Sequence, residues 1–122
     1  MTIQQLDHVN INTSDLEACK RFYADILGFE DGERPDFGFP GAWMYCGDQA
    51  VIHIMAMPDA PTGPTGPIDH VAFRCTGFEA MKDRLEGAGL SYKENVVPDF
   101  GIKQLFVHDP DGIKVELNFF ED

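Results

Sequence analysis

The sequence predicts an α+β fold built from two βαβββ modules, because landmarks in its first half recur in its second half. His8 is matched by His70 at an offset of 62 residues, and His53 is matched by Glu116 at an offset of 63 residues. An offset held across separated landmarks indicates an internal repeat. Each half also opens with the alternating apolar pattern of a strand and continues with apolar residues at helical spacing. We therefore expect two structural modules of nearly equal length.

The repeat also predicts the domain organisation. The chain has 122 residues, a length typical of one domain. Module one is assigned to residues 1–57, a connector to residues 58–67 and module two to residues 68–122. The connector holds four prolines and two glycines in ten residues, a composition that excludes a helix or a central strand. We expect a single domain, residues 1–122, in which the two modules form a curved mixed sheet around a cavity.

Module one contains the expected signals in order. Residues 6–12 alternate as a strand does, with apolar side chains on one face and polar side chains on the other. Ser14 opens a capping-box pattern, so it is the expected N-cap of a helix that continues to about Leu27. Gly28 suits the left-handed position that follows a helix end. Three short strands are expected within residues 29–57.

Module two repeats this plan. A strand is expected over residues 68–75, followed by a helix with Thr76 as its N-cap. The helix is expected to end near Gly87 or Gly89. The sequence Asp-Pro-Asp-Gly at residues 109–112 is a strong turn signal between the last two strands.

The charge balance and the cysteine count limit the classes of partner. Nine basic and 21 acidic residues give a net charge of −12, so neither nucleic acid nor an anionic membrane is an expected partner. No apolar run approaches the roughly 18 residues of a membrane helix, and the start of the chain does not resemble a signal peptide. Three cysteines, an odd number, match no disulfide framework. We expect a cytoplasmic protein with small, buried, reduced thiols.

Four polar residues are candidate ligands of a divalent transition metal. His8, His53, His70 and Glu116 each lie, by strand alternation, on the face opposite strongly apolar neighbours. If the apolar faces pack against the two helices, the opposite faces are left to line a cavity. Imidazoles with one carboxylate suit Zn, Ni, Fe, Mn or Co, whereas Ca and Mg prefer oxygen ligands throughout. The alternative is a set of solvated polar residues on a sheet face.

Other residues share this face or stand apart from it. Asn10, Arg74 and Asn118 have the same strand parity as the candidate ligands and could orient a small-molecule substrate. Trp43 could supply an apolar wall or simply belong to the core. His108 precedes the predicted turn and has no counterpart in module one, so a surface or turn-stabilising role is expected for it.

Three motifs are similar to those of the vicinal oxygen chelate superfamily, which includes glyoxalase I, fosfomycin-resistance thiol transferases, methylmalonyl-CoA epimerase, extradiol dioxygenases and bleomycin-binding proteins. The motifs are Asp-His-Val at 7–9 and 69–71, Phe22-Tyr23 with Leu27-Gly28-Phe29, and Asp109-Pro110-Asp111-Gly112 with Val115-Glu116-Leu117. The resemblance covers essentially the whole chain and implies a glyoxalase-like fold around a metal cavity. It also implies one metal ligand on the first and last strand of each module, which are the positions of His8, His53, His70 and Glu116. At the position of His53, glyoxalase I enzymes usually carry glutamate and the epimerase carries glutamine.

The resemblance implies three candidate functions. The first is an isomerase or lyase in which the metal chelates two neighbouring oxygens of a small substrate and Glu116 is the general base. The second is an Fe(II) extradiol-type dioxygenase built on His8, His70 and Glu116. The third is a non-catalytic small-molecule binding protein of the drug-resistance type, whose members typically lack the metal ligands. Short members commonly dimerise with shared sites, so we expect a homodimer.

Overall fold

Strands and helices follow the same order in both halves of the computed structural model, which describes residues 1–120. The chain divides into two units, one comprising Met1–Pro61 and the other beginning at Thr62. The division falls inside the segment that the sequence predicts as the connector.

The first unit contains four strands in one sheet. These strands are β1 (Val9–Thr13), β2 (Glu30–Gly32), β3 (Gly41–Cys46) and β4 (Gln49–Ala56). Their order across the sheet is β1-β4-β3-β2, with β1 parallel to β4 and the other neighbours antiparallel. Helix α1 is α-helical over Leu16–Lys20 and continues as a π-helical segment over Arg21–Ile26.

The second unit repeats this arrangement. Its elements are β5 (Val71–Cys75), α2 (Phe78–Gly87), β6 (Lys93–Val97), β7 (Ile102–His108) and β8 (Lys114–Phe119). The strand order is β5-β8-β7-β6, and the first and last strands, β5 and β8, are parallel. Both units are therefore βαβββ, and the predicted α+β fold of two modules is confirmed.

Burial alternates along the last strand of each unit. In β4, Ile52 and Ile54 are buried while His53 between them is half-buried. In β8, Val115, Leu117 and Phe119 are buried, and the residues between them are half-buried. The apolar side chains form the core with buried residues of the helices, which in α1 are Cys19, Phe22 and Tyr23 and in α2 are Met81 and Leu85. One face of each sheet is thus left for polar side chains.

The helices begin one residue later than the capping boxes predict. In α1 the N-cap is Asp15, whose Oδ1 accepts a hydrogen bond from the Ala18 amide at 3.1 Å, so the prediction of Ser14 is wrong. The buried Thr13 hydroxyl explains the shift, because it accepts from the Asp15 amide at 3.1 Å and holds the chain at the strand end. In α2 the N-cap is Gly77 at φ +81°, so the prediction of Thr76 is also wrong. A glycine adopts this left-handed conformation without steric cost.

The helix ends agree with the sequence. The Leu27 amide donates to the Phe22 carbonyl at 3.0 Å, and Gly28 follows in the left-handed region at φ +92°. Helix α2 ends at Gly87, one of the two expected positions, and Gly89 has a φ of +71°. Within residues 1–120, no helix is both long and apolar enough to cross a lipid bilayer.

Both opening strands start later than predicted. β1 begins at Val9 and β5 at Val71, so His8 and His70 lie immediately before the strands. In the first unit the Gln49 side-chain amide donates to the Asp7 carbonyl at 3.1 Å. A side chain therefore occupies one acceptor position of this carbonyl just before β1.

The three thiols differ in exposure. None of the three forms a disulfide, and Cys19 is fully buried in α1. Cys75 is half-buried, and its thiol lies 3.6 Å from the Phe73 carbonyl oxygen. Cys46 is exposed at the end of β3, so the expectation of a buried thiol is wrong there. Its place beside the tight turn at Gly47 puts it outside the core.

Candidate metal centre

The first unit brings its two candidate ligands into direct contact. His53 lies in the middle of β4 opposite Asn10 of β1, and His8 lies just before that strand. The His8 and His53 rings stack with their centroids 3.7 Å apart and their planes 8° from parallel. Each ring therefore limits the rotation of the other.

An aspartate determines which nitrogen of His8 is available. His8 Nδ1 lies 2.6 Å from Asp7 Oδ2. An ionised carboxylate only accepts hydrogen bonds, so this contact favours the tautomer with hydrogen on Nδ1. The lone pair is then on Nε2, where a metal could bind, and carboxylate-bound imidazoles of this kind are frequent at metal sites.

His53 is held from its other face and by its own strand. The Trp43 ring stacks on it at a centroid distance of 4.0 Å and an interplanar angle of 14°. His53 Nε2 lies 3.1 Å from the Ala50 carbonyl oxygen, a pure acceptor, which leaves the lone pair on Nδ1. Partial burial, and then the neighbouring His8, lower the pKa of His53. The neutral form that metal binding requires is therefore favoured.

The second unit pairs a histidine with a carboxylate. His70 Nδ1 lies 2.8 Å from Asp69 Oδ2, so its Nε2 is the available nitrogen by the same argument. That Nε2 lies 3.4 Å from Oε1 of Glu116. Asp69 also accepts from Lys114 Nζ at 3.3 Å. The hydrogen bond from His70, followed by that from Lys114, holds the pKa of Asp69 below its usual range, so this carboxylate stays ionised.

The two carboxylate oxygens of Glu116 have different neighbours. Its side chain is 14% exposed, and its Oε2 accepts from Asn118 Nδ2 at 2.8 Å. The other oxygen, Oε1, faces His70. A carboxylate held in this way can offer one oxygen to a cation or accept a proton from a bound molecule.

The four predicted ligands thus form two pairs, His8 with His53 in the first unit and His70 with Glu116 in the second. The first pair presents two imidazole nitrogens, and the second presents one imidazole nitrogen and one carboxylate oxygen. These donor types suit a divalent transition metal. The Asp-His contact recurs at both strand starts, and strand alternation alone does not predict it. An aspartate directly before the histidine in both repeats was the signal that could have found it.

The predicted substrate-binding residues have different surroundings. Asn10 and Trp43 line a cavity of about 150 Å³ in the first unit, beside His53. Asn118 contacts Glu116 directly. The Arg74 guanidinium lies 3.7 Å from the centroid of the Phe120 ring, a cation–π contact that alternation on the strand could not predict.

Aromatic rings beside His53 form a cluster whose mutual contacts could not be predicted from the sequence. Phe37 lies 6.2 Å from Trp43 and 5.7 Å from Phe39 between ring centroids. The Arg34 guanidinium lies 4.9 Å from the Phe37 ring centroid and 5.2 Å from that of Phe39. Phe37 and Phe39 lie in a segment whose glycines and prolines predicted a loop.

A larger cavity, of about 770 Å³, lies in the second unit. Lys93, Phe106, His108 and Lys114 are among its lining residues. His108 is exposed at the end of β7, in keeping with the expected surface position.

Comparison with known proteins identifies the family. A family model described as Glyoxalase/Bleomycin resistance protein/Dioxygenase superfamily matches residues 5–117. The chain belongs to this superfamily. The resemblance found in the sequence motifs is therefore confirmed.

The alignments with similar proteins cover most of this chain. Glyoxylase I 4 of Arabidopsis thaliana is 32% identical, with 94% of this chain and 70% of the relative covered. Glutathione transferase FosA of Serratia marcescens is 31% identical, with 95% and 81% covered. The crystal structure of a glyoxalase family protein from Bacillus anthracis has a TM-score of 0.80 at 25% identity and covers 99% of this chain and 98% of its own.

Proposed function

We propose that this chain is a divalent-metal-dependent enzyme in which His8, His53, His70 and Glu116 would hold one transition metal ion, to which two neighbouring oxygens of a small substrate would bind. The observation that carries this proposal is the repeated Asp-His contact, which leaves Nε2 of both His8 and His70 available. Each of these histidines lies beside a second donor residue of its own unit. Membership of the superfamily supports an enzyme of this type.

The donor set supports a borderline transition metal rather than a hard cation. Three imidazoles and one carboxylate suit Zn, Ni, Fe, Mn or Co. When bound, such an ion supplies Lewis-acid stabilisation of negative charge on substrate oxygens. Two relatives above 30% identity are named Glyoxylase I 4 and Glutathione transferase FosA. These names support a small organic molecule as the substrate.

Glu116 is the proposed catalytic base. Asn118 holds its Oε2, so Oε1 is the atom that would accept a proton from the substrate carbon, once this oxygen is displaced from the metal or acts at its edge. Asn10 and Trp43 border the other ligand pair, where they contact the substrate and restrict water. Arg74 and Asn118 orient the substrate on the β5–β8 side. Isomerase or lyase chemistry of the glyoxalase type follows from these roles.

One observation favours a second candidate, the Fe(II) extradiol-type dioxygenase. His53 is packed between His8 and Trp43, and its Nε2 contacts a backbone carbonyl. If His53 only packs, then His8, His70 and Glu116 are the two histidines and one carboxylate of an iron oxygenase site. Three coordination positions would then be open for a substrate and oxygen.

The decisive experiment measures bound metal in protein purified without added metal or a nickel affinity step. We expect bound transition metal in the wild type and more than about 10-fold weaker binding in His70→Ala and Glu116→Ala. His108→Ala removes an exposed histidine outside the proposed ligand set, so it is the matched control with unchanged binding. Equal binding by all four proteins would contradict the proposal.

Activity assays then separate the reaction classes. The isomerase hypothesis predicts turnover of the hemithioacetal of methylglyoxal and glutathione, or of another substrate with neighbouring oxygens. It also predicts that the reaction consumes no oxygen. Iron with oxygen uptake on catechols would instead support the dioxygenase. Tight binding of a small molecule by protein that holds no metal would support a non-catalytic binding protein.

A further inference from the structure

We propose that Gln104 and Asn95 are positioning residues that act through Asn118 to fix the orientation of the Glu116 carboxylate. The inference rests on the proposed function, in which Glu116 is both a metal ligand and the base. It assigns a role to two residues that lie on neighbouring strands and do not themselves contact Glu116 in the described hydrogen bonds.

Three side-chain amides form a continuous row across the sheet of the second unit. Asn95 of β6 pairs with Gln104 of β7, which pairs with Asn118 of β8. Asn95 Nδ2 lies 2.7 Å from Gln104 Oε1, and Gln104 Nε2 lies 3.0 Å from Asn118 Oδ1. Asn118 Nδ2 then donates to Glu116 Oε2 at 2.8 Å. We call Asn95, Gln104 and Asn118 the amide row.

The carboxylate determines the direction of every hydrogen bond in the amide row. As a metal ligand Glu116 is a carboxylate, which only accepts hydrogen bonds, so Asn118 must turn its NH₂ group toward it. The Asn118 oxygen then faces Gln104, which must donate with its own NH₂ group. The Gln104 oxygen in turn requires a donor, and Asn95 supplies it. Consecutive hydrogen bonds of one direction also strengthen each other by polarisation.

This direction has a consequence for Glu116. With Oε2 held by Asn118, Oε1 is the oxygen that faces His70 Nε2, at 3.4 Å. Without a donor at position 104, the Asn118 amide can rotate by half a turn and present its oxygen to the carboxylate. That state repels Glu116 and frees its side chain to rotate. Gln104 therefore excludes the unproductive state of Asn118.

The effect of each member decreases with distance from Glu116. Asn118 and Gln104 are half-buried, whereas Asn95 is exposed and lines the 770 Å³ cavity. Water can replace the Asn95 donor more easily than the Gln104 donor. A row that only stabilised cross-strand pairing would show a different pattern, because it would affect unfolding and leave metal affinity unchanged.

The test compares Gln104→Met, Asn95→Ala and the wild type as the full chain. Methionine keeps the approximate shape of glutamine and removes both the donor and the acceptor. We expect about 10-fold weaker Co²⁺ binding in Gln104→Met, read from the cobalt absorption spectrum, and a smaller decrease in Asn95→Ala. Gln5→Met makes the same chemical change at an exposed position outside the amide row and is expected to bind Co²⁺ as the wild type does.

A second variant distinguishes the effect of hydrogen-bond direction in the amide row from the effect of added negative charge. Gln104→Glu keeps the acceptor for Asn95 but cannot donate to the Asn118 oxygen. Added negative charge alone would strengthen cation binding. The amide row predicts the opposite, a Co²⁺ affinity below that of the wild type, and an affinity above the wild type would contradict the proposal.

A measurement on metal-free protein completes the test. In the wild type we expect the side-chain amide protons of Asn118 to exchange slowly with solvent by NMR, and in Gln104→Met we expect fast exchange. Failure of the wild type to bind Co²⁺ would overturn the proposed function and, with it, the ligand-positioning role. Normal Co²⁺ binding by Gln104→Met, beside a wild type that binds, would overturn the present proposal alone.

Discussion

At the scale of single residues, His53 is the proposed ligand whose ring is stacked against two other rings. It lies between two rings, with His8 at 3.7 Å and Trp43 at 4.0 Å between centroids. A ring confined in this way loses little rotational freedom when it binds an ion. The stacked rings therefore do not lower the affinity for the metal if they hold His53 in the orientation in which it ligates the ion.

The single tryptophan of the chain provides a direct test of this point. Trp43 is that residue, so all tryptophan fluorescence reports on the ring stacked on His53. If His53 ligates the metal, adding Zn²⁺ should change the Trp43 emission in the wild type because a cation then binds the adjacent imidazole. The change should be absent in His53→Ala and retained in His108→Ala. An equal change in His53→Ala would assign His53 to packing and favour the three-ligand site.

At the scale of the elements, the start of α1 shows how the last residue of a strand determines where the next helix begins. The Thr13 hydroxyl accepts from the Asp15 amide at 3.1 Å, and Asp15 then caps the helix through the Ala18 amide. The strand and the helix are thereby joined through one residue that is buried and one that is exposed.

This geometry predicts different costs for two neighbouring substitutions. Asp15→Ala removes the cap and should lower the free energy of unfolding by about 1 kcal/mol. Ser14→Ala is expected to change it by less than about 0.5 kcal/mol, because Ser14 is exposed and does not cap the helix. Urea unfolding measures both values, and a larger loss for Ser14→Ala would contradict the assignment of Asp15.

The elements and their faces could be predicted because they depend on local patterns. Alternation placed His53 between Ile52 and Ile54, and burial follows that alternation. The helix stop at Gly28 could be predicted because its φ of +92° favours glycine. The N-caps could not be predicted, since Ser14 and Asp15 both have capping side chains and the choice depends on the hydroxyl of Thr13.

The contacts within the site could not be predicted from the repeat pattern, because that pattern does not contain the register of the strands. Trp43 contacts His53 because the register between β3 and β4 places the two residues opposite each other. That register shifts between Met44 and Tyr45. The row from Asn95 to Asn118 likewise depends on the register of three strands. Alternation identifies the face of a residue, but only the register identifies its neighbour across the sheet.

At the scale of the whole molecule, the homodimer expected from the superfamily resemblance is a prediction that the solution mass tests. A chain with two equivalent modules can complete a site within itself or by exchange with a second copy. We predict a solution mass of about twice the monomer value of 13.6 kDa. Light scattering coupled to size exclusion measures this mass, and a single-chain mass in metal-loaded protein would contradict the prediction.

The uneven exposure of the three thiols sets a condition on that measurement. Cys46 is exposed, whereas Cys19 is fully buried. Air oxidation could link Cys46 of two molecules covalently and produce pairs of chemical origin, so the samples need a reductant. The same accessibility makes Cys46 the natural attachment point for a maleimide dye. Such a dye would lie on β3, the strand that also carries Trp43.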